Sequence, residues 1–369
     1  MLAFLGVAFM IYGAMHFYAL GKVWLAFPHT SILAAALVIW GIVMTFSPLI
    51  VWQVERLNWH SATVILSWVC YLWMGFLFLF CSVALIFDLG HVMSSLLGIK
   101  WPLSASTVLL ILGLLAIVLL GYGFVEARQL HVEEIKITTP KLSPAIGRVT
   151  IAQISDLHLG VMLGDEFLDR VVARLREIRP DILVATGDIV DGQGDNLNEL
   201  ARHFLNIKPT KGAYAITGNH EYFAGLENSL RFLRSAGFTV LRGESAAAGG
   251  IVVVGVDDPA GVRRGLGIKM DNNALASITQ EEFVVLLKHQ PLVDDEIPFD
   301  LQLSGHVHGG QIFPFGLLTR FTYGVTTGLT QLANGRLLYV SRGAGTWGPP
   351  LRLFAPPEIT QISIESMNN

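Results

Sequence analysis

Hydrophobic positions follow one pattern in the first third of this chain and a different pattern in the rest. Four apolar stretches, each of about 20 residues or slightly more, cover residues 2–20, 32–52, 62–87 and 104–125. An α-helix of that length matches the hydrocarbon thickness of a bilayer. The pattern therefore predicts a transmembrane unit of four helices in residues 1–125.

The first apolar stretch has an alternative interpretation as a cleaved signal peptide. It lacks the basic residues that begin such a peptide, and three more apolar stretches follow it, so we interpret it as a membrane span. Four spans would place the N-terminus and the rest of the chain on one side of the cell membrane. Short loops on that side carry more basic residues: Arg56, Arg128, Lys136 and Lys141, against Lys22 and Lys100 on the other. This bias favours the cytoplasm, and we expect the helices to anchor the chain rather than transport a solute.

Beyond residue 148, short apolar runs alternate with segments of helical period. The runs VTIAQISD and DILVATGD are typical of buried strands, and the segment between them places Leu168, Val171, Val172, Leu175 and Ile178 on one helical stripe. Closely spaced strands follow after Ala248. This alternation predicts an α/β domain in residues 148–369, with two facing sheets and helices outside. Residues 126–147 are a polar connector that could hold an edge strand.

Composition narrows the chemistry that is available. The chain is 52% hydrophobic and 15% charged, which is too apolar for one soluble domain. A net charge of -4 without a dense basic run gives no electrostatic basis for binding nucleic acid. Because Cys70 and Cys81 both lie in the third apolar stretch, a metal site in the soluble part must use His, Asp, Asn and Glu. Such ligands suit Mn, Fe, Zn or Mg.

Metal-capable side chains follow nearly every predicted strand of the soluble part. The segments read ISDLH, ATGDIVD, ITGNHEY, LLKHQP and LSGHVHGGQ. Because open α/β sheets bind ligands beyond the carboxyl ends of their strands, five strands could converge on one site. Asp156 and His158 are two residues apart, which places them on one face of an extended segment, and the same holds for His306 and His308.

Each of these segments also has an ordinary structural explanation. Asp156 and Asp188 could belong to turns, Asn219 could occupy a left-handed turn, and His289 could simply end a strand. The occurrence of all five segments in order, each after an apolar run, favours a shared metal site.

The motifs D-x-H, G-D, G-N-H-[DE], H and G-H-x-H, in this order, resemble the pattern of the calcineurin-like metallophosphoesterase superfamily. The resemblance covers Arg148 to about the C-terminus. The segments GHVHGGQI and YVSRG and the ending PPEI are similar to the bacterial YkuE/YaeI-like branch, which includes transmembrane proteins with a metallophosphoesterase domain. The resemblance implies a four-layer αββα sandwich with a dinuclear metal site where the central sheets meet.

The resemblance also implies roles for individual residues. Two divalent ions would have seven ligands: Asp156, His158 and His308 for the first, Asn219, His289 and His306 for the second, and Asp188 shared by both. His220, next to a ligand but not itself assigned to an ion, is the candidate catalytic residue that would contact a phosphoryl oxygen or the leaving alkoxide. Glu221 stands where many members have Asp, and we expect it to orient His220. Arg342 could bind a phosphate or could form a structural salt bridge.

The function implied is metal-dependent hydrolysis of a phosphoester or pyrophosphate bond. Membrane anchoring, together with relatives assigned to UDP-2,3-diacylglucosamine hydrolysis, favours a lipid-linked substrate. The alternatives are a membrane-tethered phosphatase or phosphodiesterase for soluble nucleotides or phosphoproteins, and a non-enzymatic interaction module. The apolar stretch FPFGLLTRF, residues 313–321, could contact the bilayer interface or a lipid, or could be a buried loop.

Overall fold

The computed structural model describes residues 2–57, 59–191, 197–271, 278–293 and 295–367. The chain separates into two compact units, Met1–Val125 with Gly348–Leu351, and Glu126–Trp347 with Arg352–Asn369. The described helices and short connections before residue 126 make up most of the first unit, whereas the described strands all lie in the second unit.

The described residues of the helical unit form five helices: α1 (Leu2–Ala26), α2 (Ser31–Thr45), α3 (Ser47–Arg56), α4 (His60–Leu96) and α5 (Ala105–Glu126). Of these, α4 and α5 are long and apolar enough to cross a membrane. The pair α2 and α3 is a third candidate span if the two are taken together, with a bend of 52° between them. Within the described residues, two or three candidate spans thus stand where the sequence predicts four, and the fourth, α1, remains a prediction.

The bend between α2 and α3 has a cause in the sequence. Pro48 lies in the first turn of α3 and has no backbone N–H to donate to the preceding turn. The hydroxyl of Ser47 donates to the carbonyl oxygen of Met44 at 2.8 Å and replaces part of the lost pairing. The third predicted span also differs, because α4 has 37 residues and continues past Phe87.

Polar side chains inside the helical unit pair with one another. Nζ of Lys22 on α1 lies 2.8 Å from both carboxylate oxygens of Asp88 on α4, and the Tyr18 hydroxyl donates to the same carboxylate at 2.6 Å. His16 is buried and accepts a hydrogen bond from Nε1 of Trp73 at 2.9 Å. Charges in an apolar environment need partners, so these contacts account for the polar residues as packing features of α1 and α4.

The described residues of the second unit form two six-stranded mixed sheets. The first contains, in spatial order, β1 (His131–Thr139), β12 (Glu358–Ser366), β2 (Arg148–Ile154), β3 (Ile182–Ala185), β4 (Ala213–Ala215) and β5 (Thr239–Val240). The second contains β10 (Gly328–Gln331), β11 (Leu337–Val340), β9 (Leu301–Ser304), β8 (Phe283–Leu287), β7 (Ile251–Gly255) and β6 (Glu244–Ala248).

Parallel strands make up the centre of both sheets. Strands β2 to β5 are parallel, as are β7, β8, β9 and β11, whereas β12, β6 and β10 pair antiparallel with β2, β7 and β11. The edge strand β1 comes from the predicted connector and pairs in parallel with β12. The carboxyl ends of the parallel strands therefore open at one end of each sheet.

The described residues of this unit form the α-helices α6 (Asp165–Ile178), α7 (Leu197–Phe204), α8 (Asn219–Ala224), α9 (Leu226–Ser235), α10 (Pro259–Arg263) and α11 (Phe315–Tyr323). The predicted stripe of α6 packs with α7 and α9 against the first sheet. Between the sheets lies a second apolar core, in which Ile151 and Val184 meet Val253 and Val285. Described loops and the end of α11 cover the outer face of the second sheet. The predicted α/β sandwich is confirmed.

Candidate metal centre

The polar segments singled out in the sequence lie at the carboxyl ends of five parallel strands. The residues follow β2, β3, β4, β8 and β9 in turn: Asp156 and His158, Asp188, Asn219 and His220, His289, and lastly His306 and His308. Backbone hydrogen bonds tie the first two loops together, since the N–H of His158 donates to the carbonyl of Asp188 at 3.0 Å. The fold thus brings all the predicted ligands to one end of the two sheets.

Three of the predicted ligands form one cluster. Asp156, His158 and His308 are buried, and each offers a ligand atom within 4.8 Å of those of the other two. Nε2 of His158 lies 3.1 Å from Nε2 of His308, which is itself 3.4 Å from Oδ1 of Asp156. These are the three residues that the family resemblance assigns to the first ion.

Asp188, His289 and His306 form a second cluster of the same kind. Nε2 of His289 lies 3.0 Å from Oδ2 of Asp188 and 3.2 Å from Nδ1 of His306. Nδ1 of His289 lies 2.8 Å from the carbonyl oxygen of Thr186. A carbonyl oxygen only accepts hydrogen bonds, so Nδ1 carries a proton, and Nε2 is the ring nitrogen that faces the cluster and would offer its lone pair to an ion.

The geometry of these clusters fits metal ions. Two nitrogens bound to one ion at about 2.1 Å, with an angle of about 90–110° between them, are roughly 3.0–3.4 Å apart. The paired imidazoles of both clusters show such separations, 3.1 and 3.2 Å. Oδ1 of Asn219 is also buried without a hydrogen-bond partner in the described part of the chain. A buried oxygen of that kind is costly unless something binds it, which suits a ligand of the second ion.

The backbone at this site is strained. Asp156, His158, Asp188, His306 and His308 all have positive φ angles, between 48° and 71°. A residue with a side chain pays about 1–3 kcal/mol for such a conformation, and strain of this kind concentrates at functional sites. The ligand pairs therefore lie in tight left-handed turns, which corrects the expectation of extended segments. Gly187, with φ of 91°, leaves room for these turns, because a Cβ there would lie 2.7 Å from Nδ1 of His289.

Asp188 lies where its charge acts on both clusters. Its Oδ1 accepts a hydrogen bond from the backbone N–H of His220 at 2.8 Å. Burial by itself raises the pKa of Asp188, but the positive charges of His289, His220 and His158 outweigh burial and hold this pKa well below its usual range. A carboxylate that stays ionised between two groups of imidazoles has the charge and position of a bridging ligand.

His220 pairs with an aspartate that the sequence reasoning did not single out. Nδ1 of His220 lies 2.5 Å from Oδ1 of Asp191, whose other oxygen is 3.5 Å from Nδ1 of His158. Burial lowers the pKa of His220, but the negative charges of Asp188 and Asp191 raise it by more. The resulting pKa is about 9, above the ordinary value of a histidine. The imidazole is thus held as a cation and can donate a hydrogen bond. Two exposed rings, Phe223 and Trp347, stand edge-on to it at centroid distances of 5.4 and 5.6 Å.

Glu221 has a different role from the one expected. Its buried carboxylate accepts hydrogen bonds from the backbone N–H groups of Asp188, Ile189, Val190 and Gly218, at 2.7 to 3.2 Å. It therefore holds the turn that carries Asp188 against the start of α8, whereas Asp191 contacts the His220 ring. Adjacency in the sequence suggested that Glu221 contacts the His220 ring. The carboxylate of Glu221 instead binds the backbone N–H groups of Gly218 and of the turn after β3.

Two arginines near the site are engaged by the protein itself. Arg342 forms ion pairs with Glu133 and Glu358 and donates to the carbonyl of Pro356, so of its two interpretations the structural salt bridge is the one observed. Arg352 is fully buried and donates to several backbone carbonyls, including that of His308 at 3.3 Å. Its position behind the turn that carries His308 had no distinctive signal in the sequence.

Comparisons with known proteins place this fold and site in a family. A family model described as "Calcineurin-like phosphoesterase" matches residues 149–310. The chain is 41% identical over 260 residues to a metallophosphoesterase of Aquifex aeolicus, and the match covers 69% of this chain and 99% of that protein. The chain belongs to the calcineurin-like phosphoesterase family. This confirms the predicted family, and it makes the chain an enzyme of the metal-dependent phosphoester hydrolase class.

Two further relatives bear on the branch of the family and on the membrane. YkuE of Bacillus subtilis is 33% identical, over 67% of this chain and 91% of that protein. A Danio rerio protein named "Transmembrane protein with metallophosphoesterase domain" is 33% identical, over 67% of this chain and 60% of its own length. Together with the apolar helices, these relatives identify a membrane protein of this family.

Proposed function

We propose that this chain is a membrane-anchored dinuclear-metal phosphohydrolase that cleaves a phosphoester or pyrophosphate bond in a lipid-linked substrate of the UDP-2,3-diacylglucosamine type. The observation that carries the choice of substrate is an apolar rim beside a charged, buried centre, and this rim consists of the exposed side chains of Leu317, Leu318 and Phe321 on α11. Hydrolysis of any phosphate ester would use the buried, charged centre. Exposed hydrophobic side chains beside that centre have no role in binding a soluble phosphate ester, but they suit the acyl chains of a lipid.

In this proposal the two clusters hold two divalent ions, of Mn, Fe, Zn or Mg. The ligands are those of the family pattern: Asp156, His158 and His308 for the first ion, Asn219, His289 and His306 for the second, and Asp188 for both. Ions at these positions would supply positive charge for the phosphoryl oxygens and would lower the pKa of the attacking water. The distances within each cluster and the unpartnered oxygen of Asn219 support this assignment.

His220 donates a hydrogen bond to the phosphoryl oxygen or to the leaving oxygen. Asp191 holds the imidazole through Nδ1 and stabilises its protonated form, which leaves Nε2 as the donor. Glu221 keeps Asp188 and His220 in register by binding the backbone of both of their segments. Water attacks phosphorus directly in this scheme, without a covalent enzyme intermediate.

The apolar rim supports a substrate with acyl chains. None of the nine residues of α11, all of which the structure describes, is buried. Leu317, Leu318 and Phe321 are 63%, 54% and 87% exposed, so the interpretation of FPFGLLTRF as a buried loop is excluded. Exposed apolar side chains on a short helix next to a site suit contact with lipid. Covalent attachment to membrane helices also raises the effective concentration of the domain at a bilayer.

A nucleotide substrate is the competing proposal, because the exposed rings of Phe223 and Trp347 could equally stack on a base. A phosphoprotein substrate has no comparable supporting feature. For the location of the domain we propose the cytoplasmic side, on the evidence of the basic residues in the short loops.

The test is a turnover screen with the purified full-length protein in phospholipid vesicles. With Mn²⁺ present, a lipid-linked sugar nucleotide, a soluble nucleotide and a nitrophenyl phosphodiester are supplied in parallel. We expect kcat/KM to be highest for the lipid-linked compound. A preference for the soluble nucleotide would replace the lipid proposal with the nucleotide one, and no metal-dependent turnover of any compound would refute both.

A further inference from the structure

Helix α11 reaches the metal centre through one residue. The hydroxyl of Tyr323, the last residue of α11, lies 2.6 Å from Nε2 of His306. The two rings meet edge-on, with centroids 5.4 Å apart and an interplanar angle of 81°.

We propose that Tyr323 is a positioning residue that orients His306 toward the second metal position. This inference rests on the proposed function, because it takes Nδ1 of His306 as a ligand atom. A neutral imidazole has one nitrogen that donates and one that accepts. When Nδ1 turns its lone pair to an ion, Nε2 carries the proton and donates it to the Tyr323 oxygen. That hydrogen bond fixes both the tautomer and the rotation of the ring.

The same arrangement holds for the neighbouring ligand His289. Its Nδ1 donates to the Thr186 carbonyl at 2.8 Å, and its Nε2 faces the cluster. A backbone carbonyl just after β3 thus orients one imidazole, and a side-chain hydroxyl on α11 orients the other. The two rings meet edge-on with His306 Nδ1 3.2 Å from His289 Nε2, so the two outer hydrogen bonds hold both inner nitrogens toward one position.

The position of Tyr323 is fixed by the fold at both ends of α11. At the start of the helix, Gly310 packs so closely on Gly316 that a Cβ on Gly310 would lie 2.2 Å from the Gly316 Cα. At its end, Tyr323 packs against the apolar cluster of Val307, Leu338 and Val340, and Val307 lies between the two histidines of the GHVH segment. The helix is therefore attached on both sides to the turn that holds His306 and His308, while its remaining apolar side chains are exposed.

The test replaces the hydroxyl alone. Tyr323→Phe keeps the ring packing and removes the acceptor for His306 Nε2, and Tyr214→Phe is the matched control. The Tyr214 hydroxyl also makes one hydrogen bond, to the Lys211 carbonyl, but lies outside the site. Full-length proteins in detergent are titrated with Mn²⁺, and bound metal is counted by mass spectrometry. Loss of an outer hydrogen bond of this kind lowers metal affinity by about 10–100-fold.

We expect Tyr323→Phe to lower the affinity for one of the two ions by that factor and to leave the affinity for the other ion at the parental value. Tyr214→Phe should leave both affinities unchanged. Parental affinity for both ions in Tyr323→Phe would overturn the inference while the proposed function stands. A parent protein that binds no ion would refute the proposed function, and the inference with it.

A second measurement covers a loss of folding stability in the variant. The rise in unfolding temperature on adding Mn²⁺ reports metal binding even when the metal-free protein is less stable. We expect that rise to be smaller in Tyr323→Phe than in the parent and in Tyr214→Phe. An equal rise in all three proteins would also overturn the inference.

Discussion

Oδ1 of Asp191 lies 2.5 Å from Nδ1 of His220, and the two residues come from the ends of neighbouring parallel strands. Asp191 follows Asp188 by three residues in the turn after β3, so one turn carries both the proposed bridging carboxylate and the partner of the candidate donor. The hydrogen-bonding role of His220 and the metal-binding role of Asp188 can therefore be separated only by substitutions at each residue.

His220→Ala should retain both ions, because His220 is not assigned as a ligand. Turnover should fall by a factor of ~10²–10⁴, as expected for the loss of one acid or transition-state donor. The loss should be smaller for nitrophenyl esters than for alkyl esters, since good leaving groups need less protonation. Metal analysis by mass spectrometry beside kinetics on both ester types tests this assignment. An emptied metal site, or an equal loss on both ester types, would contradict it.

Asp191→Asn should move the alkaline limb of the pH profile to lower pH. The carboxylate of Asp191 raises the pKa of His220, which reaches about 9 with Asp188 also acting on it. Without that charge the pKa falls, so the protonated donor is lost at a lower pH and activity declines earlier as pH rises. The measurement is kcat/KM between about pH 6 and pH 10, with metal content determined in parallel. An alkaline limb at the parental pH, in a variant with full metal content, would show that His220 is not the group whose deprotonation limits activity.

Asp188→Asn should cost both metal content and nearly all turnover. The carboxylate is buried and its charge acts on both clusters, so an amide leaves two cations without the shared negative charge that holds them together. Mass spectrometry of the purified variant should find less than the parental metal content. Asp165→Asn, an exposed aspartate of α6, is the control and should change neither quantity. If Asp188→Asn retained two ions and full activity, Asp188 would be an ordinary turn residue and not a bridging ligand.

The sequence predicted that the proposed ligands lie close together because strand ends can be read from the apolar pattern, and each proposed ligand follows shortly after a strand. It could not predict the partners of those ligands, which depend on how separate turns face one another. Glu221 adjoins His220 in the chain, yet the ring contacts Asp191, which lies in the turn after the neighbouring strand β3. Tyr323 lies at the end of a helix that the sequence pattern did not predict, because the apolar stretch before it was interpreted as a loop.

In the helical unit, too, the sequence predicted some features and missed others. Apolar length predicted helices in all four stretches, and helices are observed in each. Length alone could not predict that the second stretch bends by 52° near Pro48. Hydropathy averages over a window and does not register the backbone hydrogen bond that a proline removes.

Reporter fusions can decide how many of the helices cross the membrane. With four spans, fusions at His29, Trp59, Lys100 and Arg148 should report alternating sides, and Arg148 should share the side of the N-terminus. If the bent pair α2 and α3 enters and leaves on one side, His29 and Trp59 will report the same side, and Arg148 the side opposite to the N-terminus. The second outcome would refute the four-span prediction.

Replacing Leu317 and Leu318 on α11 by Ser should depress hydrolysis of a lipid-linked substrate selectively. Both side chains are more than half exposed, so the replacement removes apolar contact area without opening a cavity in the core. Leu205→Ser is the matched control, because that leucine is 51% exposed and lies just after α7, outside the site.

Vesicle-bound substrate and a soluble nitrophenyl phosphodiester are assayed side by side with each full-length variant. We expect KM for the vesicle-bound substrate to rise in the α11 variant alone, while the soluble reaction keeps its parental kcat, since the ligands and His220 are unchanged. Equal losses on both substrates would mean that α11 acts only through the site geometry, and no loss on either would remove lipid contact from its role.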